Sequence, residues 1–335
     1  MIRRKKQNKD SKFETTHYES CQLKIQRLID FSAFFPNFSS NIDKNMENKI
    51  SRRQALQNTA LLLGAGFTFS SFVQKSQQDD FQIGACDWSI GQRNNVNAVE
   101  VASKLGLDGV QVNMGTFAND MCLRDPKIQK QYLEAFEKYG VKPSGFAIGE
   151  LNNVPYKSDD QTDQWVSDSI DIAKVLGVKV VLLAFFSQND LKNDEVGTQT
   201  VIQKLKKVMP KAEQAGITFG IESWLSVKEH LYIINEVKSP NLKVYYDVAN
   251  SNFMNYDIYS EIRELGKQDQ ICEFHAKENN FLLGKGKVDF QEVRKCIDEI
   301  NYKGWLQIEG AVPAGQPMFE SYVENRKFLK SIFPL

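Results

Sequence analysis

Four residues of this 335-residue chain could share one divalent cation: Glu222 in GIES, Asp247 in YYDVAN, His275 in EFHAKE and Glu309 in QIEG. Each closes a short, otherwise apolar run. Burying a carboxylate without a partner is costly, and a shared cation removes that cost. Three carboxylates and one imidazole suit a hard-to-borderline ion. Mn or Mg fits the set better than structural Zn, with Co and Zn the other candidates. Singly, each residue has an ordinary explanation. Asp247 could cap a helix, Glu222 or Glu309 could pair with a barrel lysine, and His275 could be a satisfied core histidine. Four such residues at four consecutive strand ends are harder to reach by accident. The other histidines do not compete: His17 lies in a polar leader, and His230 sits mid-helix among Lys228, Glu229 and Tyr232, as a surface or packing residue.

The elements that must position them alternate. Candidate strands are Ile83–Trp88, Gly109–Asn113, Lys142–Ala147, Lys179–Phe185, Thr218–Glu222, Lys243–Asp247, Ile271–His275 and Trp305–Glu309. Between them, apolar residues at helical spacing mark Val99–Leu105, Ile128–Tyr139, Trp165–Leu176, Val201–Ala215 and Val288–Ile300. Gly106, Gly140, Gly177 and Gly216 stand where helices end in a left-handed residue. Ser226 with Glu229 forms a capping box for a helix running to about Val237. Eight strand–helix units of roughly 20–40 residues predict a closed parallel (β/α)8 barrel, a TIM barrel, as one domain. The competing open, doubly wound sheet advertises a Gly-rich phosphate loop after its first strand. Here the strand runs into Trp88-Ser89-Ile90-Gly91, with no such motif. In a barrel, residues at the carboxyl ends of strands form the active site, where Glu222, Asp247, His275 and Glu309 are all placed. Asn113, Glu150, Trp224 and Asn250, on or just after strand ends, are candidates to line the substrate pocket.

Composition narrows the partners. Lys+Arg and Asp+Glu both number 42, so no net field draws the chain to nucleic acid. The five cysteines show neither a C-x-x-C pair nor a disulfide framework, and no nicotinamide-binding motif is present. A homo-oligomer is compatible with the sequence.

The first eighty residues read as something other than the barrel. Residues 1–45 are polar and aperiodic, a disordered leader or an over-extended start. Residues 46–80 hold Arg52-Arg53 followed by the apolar run TALLLGAGFTFSSFV, too short to span a membrane. The segment resembles a twin-arginine (Tat) export signal, although Ala55 stands where that motif usually carries a large apolar residue. It predicts export to the periplasm or cell envelope, with membrane contact only through an uncleaved signal. Cys86 lies inside the first strand, which argues against lipidation.

The stretch His275-Ala276-Lys277-Glu278, followed by Leu283-Gly284-Lys285-Gly286-Lys287-Val288-Asp289-Phe290, resembles the H-x-K-[DE]…L-G-x-G-x-x-D-[FY] signature of the sugar phosphate isomerase/epimerase family, whose barrels are xylose isomerase-like. The runs Tyr246–Asn250 and Gly304–Glu309 are similar to its sixth and eighth strands, and the resemblance covers residues 81–335. It implies that Glu222, Asp247, His275 and Glu309 are metal ligands, with Glu222 and Glu309 doubling as the acid/base pair. It also implies an isomerase that epimerises or isomerises a keto-sugar through an enediolate. Two departures stand out. Asn250 occupies a position where ketose 3-epimerases often carry histidine, and the arginine many place beyond the strand-seven histidine is absent. Lys277 is the local candidate for a substrate contact, its ordinary alternative being a salt bridge with Glu273 or Glu278.

Two other functions use the same parts. A lyase or hydratase acting on an oxidised (keto) glycoside would share the metal and the enolate. A non-catalytic sugar-binding protein would be expected to lose one of the paired glutamates. The barrel nuclease that repairs abasic DNA needs a histidine-rich three-metal site, which a single barrel histidine does not supply.

Overall fold

The computed structural model describes residues 81–334; the leader and the export-signal segment, residues 1–45 and 46–80, lie outside the described residues. The strands are β1 (Phe81–Cys86), β2 (Gly109–Asn113), β3 (Lys142–Ile148), β4 (Val180–Phe185), β5 (Thr218–Ser223), β6 (Leu242–Asp247), β7 (Ile271–Glu278) and β8 (Gly304–Gly310). They run parallel in chain order and close into a barrel. β8 returns to β1 with Phe81 opposite Gly304 and Ala85 opposite Ile308. The helices are α1 (Asn97–Leu105), α2 (Pro126–Tyr139), α3 (Gln161–Leu176), α4 (Glu195–Ala215), α5 (Val227–Val237), α6 (Val248–Phe253), α7 (Ile258–Lys267), α8 (Phe290–Glu299) and α9 (Met318–Ile332). Among the described residues, no helix is long and apolar enough to cross a membrane.

Strand alternation decides what faces the site. Side chains along a strand point alternately to opposite faces. In β4, Val181, Leu183 and Phe185 join the large core cluster. Leu182 and Ala184 join a smaller cluster with Ala147 and Tyr245. The same parity holds elsewhere. Phe219 and Ile221 in β5, Val244 and Tyr246 in β6, Phe274 and Ala276 in β7, and Leu306 and Ile308 in β8 all belong to the large cluster. Their neighbours Glu222, Asp247, His275, Lys277 and Glu309 therefore share the opposite face, inside the barrel. Each fully buried Val, Leu, Ile or Phe stabilises the fold by roughly 1.5–3 kcal/mol. Slipping one strand by a residue would exchange those apolar contacts for buried charge, so the parity of the site is strongly enforced.

Helix ends follow the chemistry of their residues. Gly106, Gly140, Gly177 and Gly216 terminate α1 to α4 with φ of +72°, +64°, +75° and +66°. Ser226 and Glu229 form the expected capping box at α5, with the Ser226 N–H donating to Glu229 Oε2 at 2.8 Å.

Most boundaries shift by a few residues from expectation, and three of the shifts have a cause in named contacts. β1 spans Phe81–Cys86 instead of Ile83–Trp88, because Asp87 Oδ2 accepts the N–H groups of Asn94 (3.1 Å) and Asn113 (3.0 Å) and turns the chain. α8 starts at Phe290 instead of Val288, since the Asp289 side chain caps it by accepting from the N–H groups of Gln291 and Glu292. β7 continues three residues beyond His275, because Lys277 and Glu278 pair in register with Glu309 and Gly310.

Candidate metal centre and active site

Glu222, Asp247, His275 and Glu309 come from four consecutive strands, β5 to β8. Each offers one ligand atom, and these four atoms lie within 4.8 Å of one another. His275 is fully buried and turns Nδ1 toward the carboxylates: 2.9 Å from Glu222 Oε1, 3.4 Å from Glu309 Oε2 and 3.7 Å from Asp247 Oδ2. Asp247 does two jobs with its two oxygens. Oδ1 accepts the N–H groups of Ala249 and Asn250, both at 2.8 Å, and so caps α6. Oδ2 is buried with no hydrogen-bond partner, although Lys277 Nζ lies 3.3 Å away. A buried carboxylate oxygen without a hydrogen bond is expensive. This orphaned oxygen, aimed among two further carboxylates and an imidazole nitrogen, fits a divalent cation of the harder kind.

Lys277 does not pair with Glu273 or Glu278. Its inward parity places Nζ 2.8 Å from Glu309 Oε2, while Glu278 accepts the N–H groups of Lys287 and Val288. Glu309 Oε1 accepts from the Trp88 indole N–H at 2.7 Å. Burial alone would raise the Glu309 carboxyl. The charges of Lys277 and His275, with the hydrogen bonds from Lys277 and Trp88, instead hold it well below the usual carboxylate range. Across the site, burial pushes Glu222 up to about 7 against the pull of His275. Burial opposes charging of His275, but the carboxylates of Glu222 and Glu309 help outweigh it, and the imidazole is raised well above its ordinary value. The two glutamates thus sit in unlike surroundings on either side of one cationic centre.

Behind His275 runs a chain of buried amides. His275 Nε2 lies 3.2 Å from Gln111 Oε1, Gln111 Nε2 donates to Tyr245 Oη at 3.2 Å, and Tyr245 donates to Glu273 Oε2 at 2.9 Å. Gln307 Nε2 also donates to that oxygen (3.5 Å) and to the Ser144 carbonyl (3.3 Å). A backbone carbonyl only accepts, so the Gln307 amide turns its N–H groups to Ser144 and Glu273. Tyr245 donates to Glu273 Oε2, and Gln111 presents its N–H to Tyr245. Gln111 Oε1 is left facing His275 and accepts a hydrogen bond from its Nε2–H, so the neutral imidazole that a cation requires would offer its Nδ1 lone pair on the carboxylate side. Burial pushes the Glu273 carboxyl up to about 8 against the bonds from Tyr245 and Gln307. The Cys86 thiol, pushed up to about 12 by burial, stays protonated beside Gln111.

Above the centre opens a cavity of about 360 Å³ whose walls include Glu222, Glu309, Trp224, Asn250, Asn113 and Lys277. Asn250 Nδ2 reaches Glu222 Oε1 at 3.4 Å. Asn113 has a structural task there. Its amide bonds Asn94 Oδ1, the Gly115 carbonyl and the Gly149 N–H, tying together the loops after β1, β2 and β3. Glu150, expected at the pocket, is not part of its wall. Its carboxylate accepts from Phe117 N–H and Asn153 Nδ2, which holds the loop after β2. His230 is a packing residue, buried against Ser223 Oγ at 2.9 Å, and burial lowers its pKa to about 4. Trp88, Arg93 and Phe186 line the cavity without having been singled out in the sequence. Trp88 lies two residues past the end of β1, so the strand-end rule that selects Glu222 also reaches it.

Comparison with known proteins agrees with the barrel fold. A family profile described as a xylose isomerase-like TIM barrel matches residues 99–332. Over 235 residues the chain is 24% identical to the D-psicose 3-epimerase of Enterocloster bolteae, covering 65% of this chain and 77% of that protein. Among solved structures, D-psicose 3-epimerase with D-tagatose from Clostridium cellulolyticum H10 superposes with a TM-score of 0.64 at 16% identity, over 76% of this chain and 100% of that one. The 3-keto-D-glucoside 4-epimerase of E. coli gives a TM-score of 0.62 at 13% identity, over 75% of this chain and 99% of that one. At such identities the structural likeness speaks to the fold. The profile match spans most of the barrel, and the chain belongs to the xylose isomerase-like TIM barrel family.

Proposed function

We propose that this protein is a divalent-metal-dependent epimerase of a keto-sugar, working through an enediolate with Glu222 and Glu309 as the acid/base pair. One observation carries the reading: two glutamates from β5 and β8 flank a single cavity over the orphaned Asp247 oxygen and the Nδ1 of His275. Glu222, Asp247, His275 and Glu309 would hold the cation. When bound, it would supply Lewis acidity toward a ketone and its neighbouring hydroxyl, stabilising the negative charge that develops as the enediolate forms. One glutamate takes the carbon-bound proton, and the C–H electron pair becomes the C=C bond as charge moves onto the carbonyl oxygen. The other glutamate returns a proton to the opposite face, which inverts that carbon and leaves the substrate's atoms otherwise unchanged. Lys277 and Trp88 position Glu309, and Asn250 positions Glu222. The similarity to a D-psicose 3-epimerase supports a ketose carbon next to the carbonyl as the reacting centre. Export through the segment at residues 46–80 is part of the same proposal and favours a neutral sugar or glycoside, because sugar phosphates do not accumulate in the envelope.

The test is proton exchange in deuterated water. Protein stripped with chelator is compared with protein reloaded with Mn, Co or Mg, using a panel of ketohexoses and keto-glycosides followed by NMR. The expected result is deuterium at one carbon, appearance of one epimer, and a loss of at least about a hundredfold on stripping, the scale of removing a main electrostatic stabiliser. Exchange with loss of a substituent from the β carbon would turn the reading into a lyase. Absence of exchange with every metal and sugar would remove the enzyme reading.

A further inference from the structure

A second cavity, of about 580 Å³, adjoins the first and shares Trp224, Asn250 and Lys277 with it. Given the keto-sugar reading above, we infer that this cavity is a subsite for a second sugar ring. The substrate is then a keto-sugar carrying a glycosyl substituent, not a free ketose. Phe253, at the end of α6, is 64% exposed while its ring packs on Trp224 with centroids 5.5 Å apart. Trp224 is braced from its other side by Phe186, edge-to-face at 5.1 Å. Exposed aromatic surface that is rigidly supported and continuous with a polar pocket marks a binding surface. The flat, C–H-lined face of a pyranose matches it.

The rest of the wall selects among ligands. Asn250, Asn279 and Asn280 also line this cavity, and a side-chain amide can both donate to and accept from a hydroxyl. Among the described residues Lys277 is the one cation in the wall, and it is already held by Glu309 and Asp247. The Glu278 carboxylate is likewise occupied, by the N–H groups of Lys287 and Val288. Among the described residues, no charged group in that wall is free to bind a phosphate or a cation. The occupant is therefore neutral, hydroxylated and apolar on one face, the description of a glycosyl ring. Its link to the reacting sugar would pass beside Trp224 and Asn250, the residues both cavities share.

The experiment compares D-fructose with the keto-disaccharides maltulose and isomaltulose, which carry a glucosyl group at O4 and O6. Exchange in deuterated water is measured for the metal-loaded full chain and for Phe253→Ala. The expected result is a higher kcat/KM for at least one disaccharide than for D-fructose, with that ratio falling about tenfold in the variant. A ratio that favours D-fructose, or one that the variant leaves unmoved, overturns the subsite. Should no sugar exchange at all, the keto-sugar reading fails separately. Tryptophan fluorescence with cellobiose then still decides the subsite: saturable binding weakened by Phe253→Ala supports it, and no binding overturns it. A change in molecular mass caused by Phe253→Ala would assign the face to a second copy of the chain and likewise overturn it.

Discussion

Replacing either Glu222 or Glu309 by glutamine is expected to stop epimer interconversion, lowering kcat by about 10²–10⁴-fold, the usual share of one acid–base group. Glutamine keeps an oxygen toward the cation and nearly the same shape, so the loss reports proton transfer more than packing. The two variants should differ in a complementary way. A two-base mechanism leaves each variant with one working base, which faces the proton of only one epimer. Glu309→Gln should therefore still exchange deuterium into one epimer, and Glu222→Gln into the other. Both variants exchanging into the same epimer, or one of them epimerising normally, would mean that a single base acts on both faces. Glu309 has a further dependence. Lys277 and Trp88 engage its two oxygens at 2.8 Å and 2.7 Å, so their bonds hold the carboxylate's plane as well as its charge.

The second large effect concerns residues that would touch neither substrate nor cation. Tyr245→Phe removes the hydroxyl that receives the Gln111 N–H and donates to Glu273. Gln111 then loses the contact that orients its amide, and a turned amide would present N–H to His275 Nε2. His275 would keep its proton on Nδ1, the nitrogen facing the carboxylates. Affinity for Mn should fall by about 10–100-fold, the range for residues that orient a metal ligand. The measurement is titration of free Mn by electron paramagnetic resonance, beside thermal unfolding of the metal-free protein. A purely structural role for Tyr245 predicts a lower melting midpoint with an unchanged Mn affinity. That outcome would remove the orienting role.

Much of this molecule is readable from its chain because a parallel barrel uses the same rule eight times. Strands buried on both faces are short apolar runs, and glycine is favoured after a helix that ends left-handed, as at Gly106, Gly140, Gly177 and Gly216. A charged residue at the end of such a run is conspicuous, which is why Glu222, Asp247, His275 and Glu309 stand out together. What escapes is pairing across strands. Lys277 looks like a neighbour of Glu278 along the chain, but alternation puts it on the His275 side, where the extended β7 register sets it opposite Glu309. Gln111 and Tyr245 lie 134 positions apart, and only the closed barrel brings their side chains together. Glu150 shows the converse. It follows a strand end, yet the loop bends its carboxylate to Phe117 and away from the cavity.

Glu222, Asp247, His275 and Glu309 are proposed to hold one divalent cation together. Calorimetric titration of Mn into the chelator-treated full chain and into Asp247→Asn decides whether they do. Asparagine retains the oxygen that caps α6 through Ala249 and Asn250, and replaces only the orphaned one. One equivalent bound by the wild type, with affinity at least about a hundredfold weaker in the variant, is predicted, since a lost ligand should cost no less than a lost outer-shell partner. Equal binding by the two proteins, or no stoichiometric binding by the wild type, would contradict it.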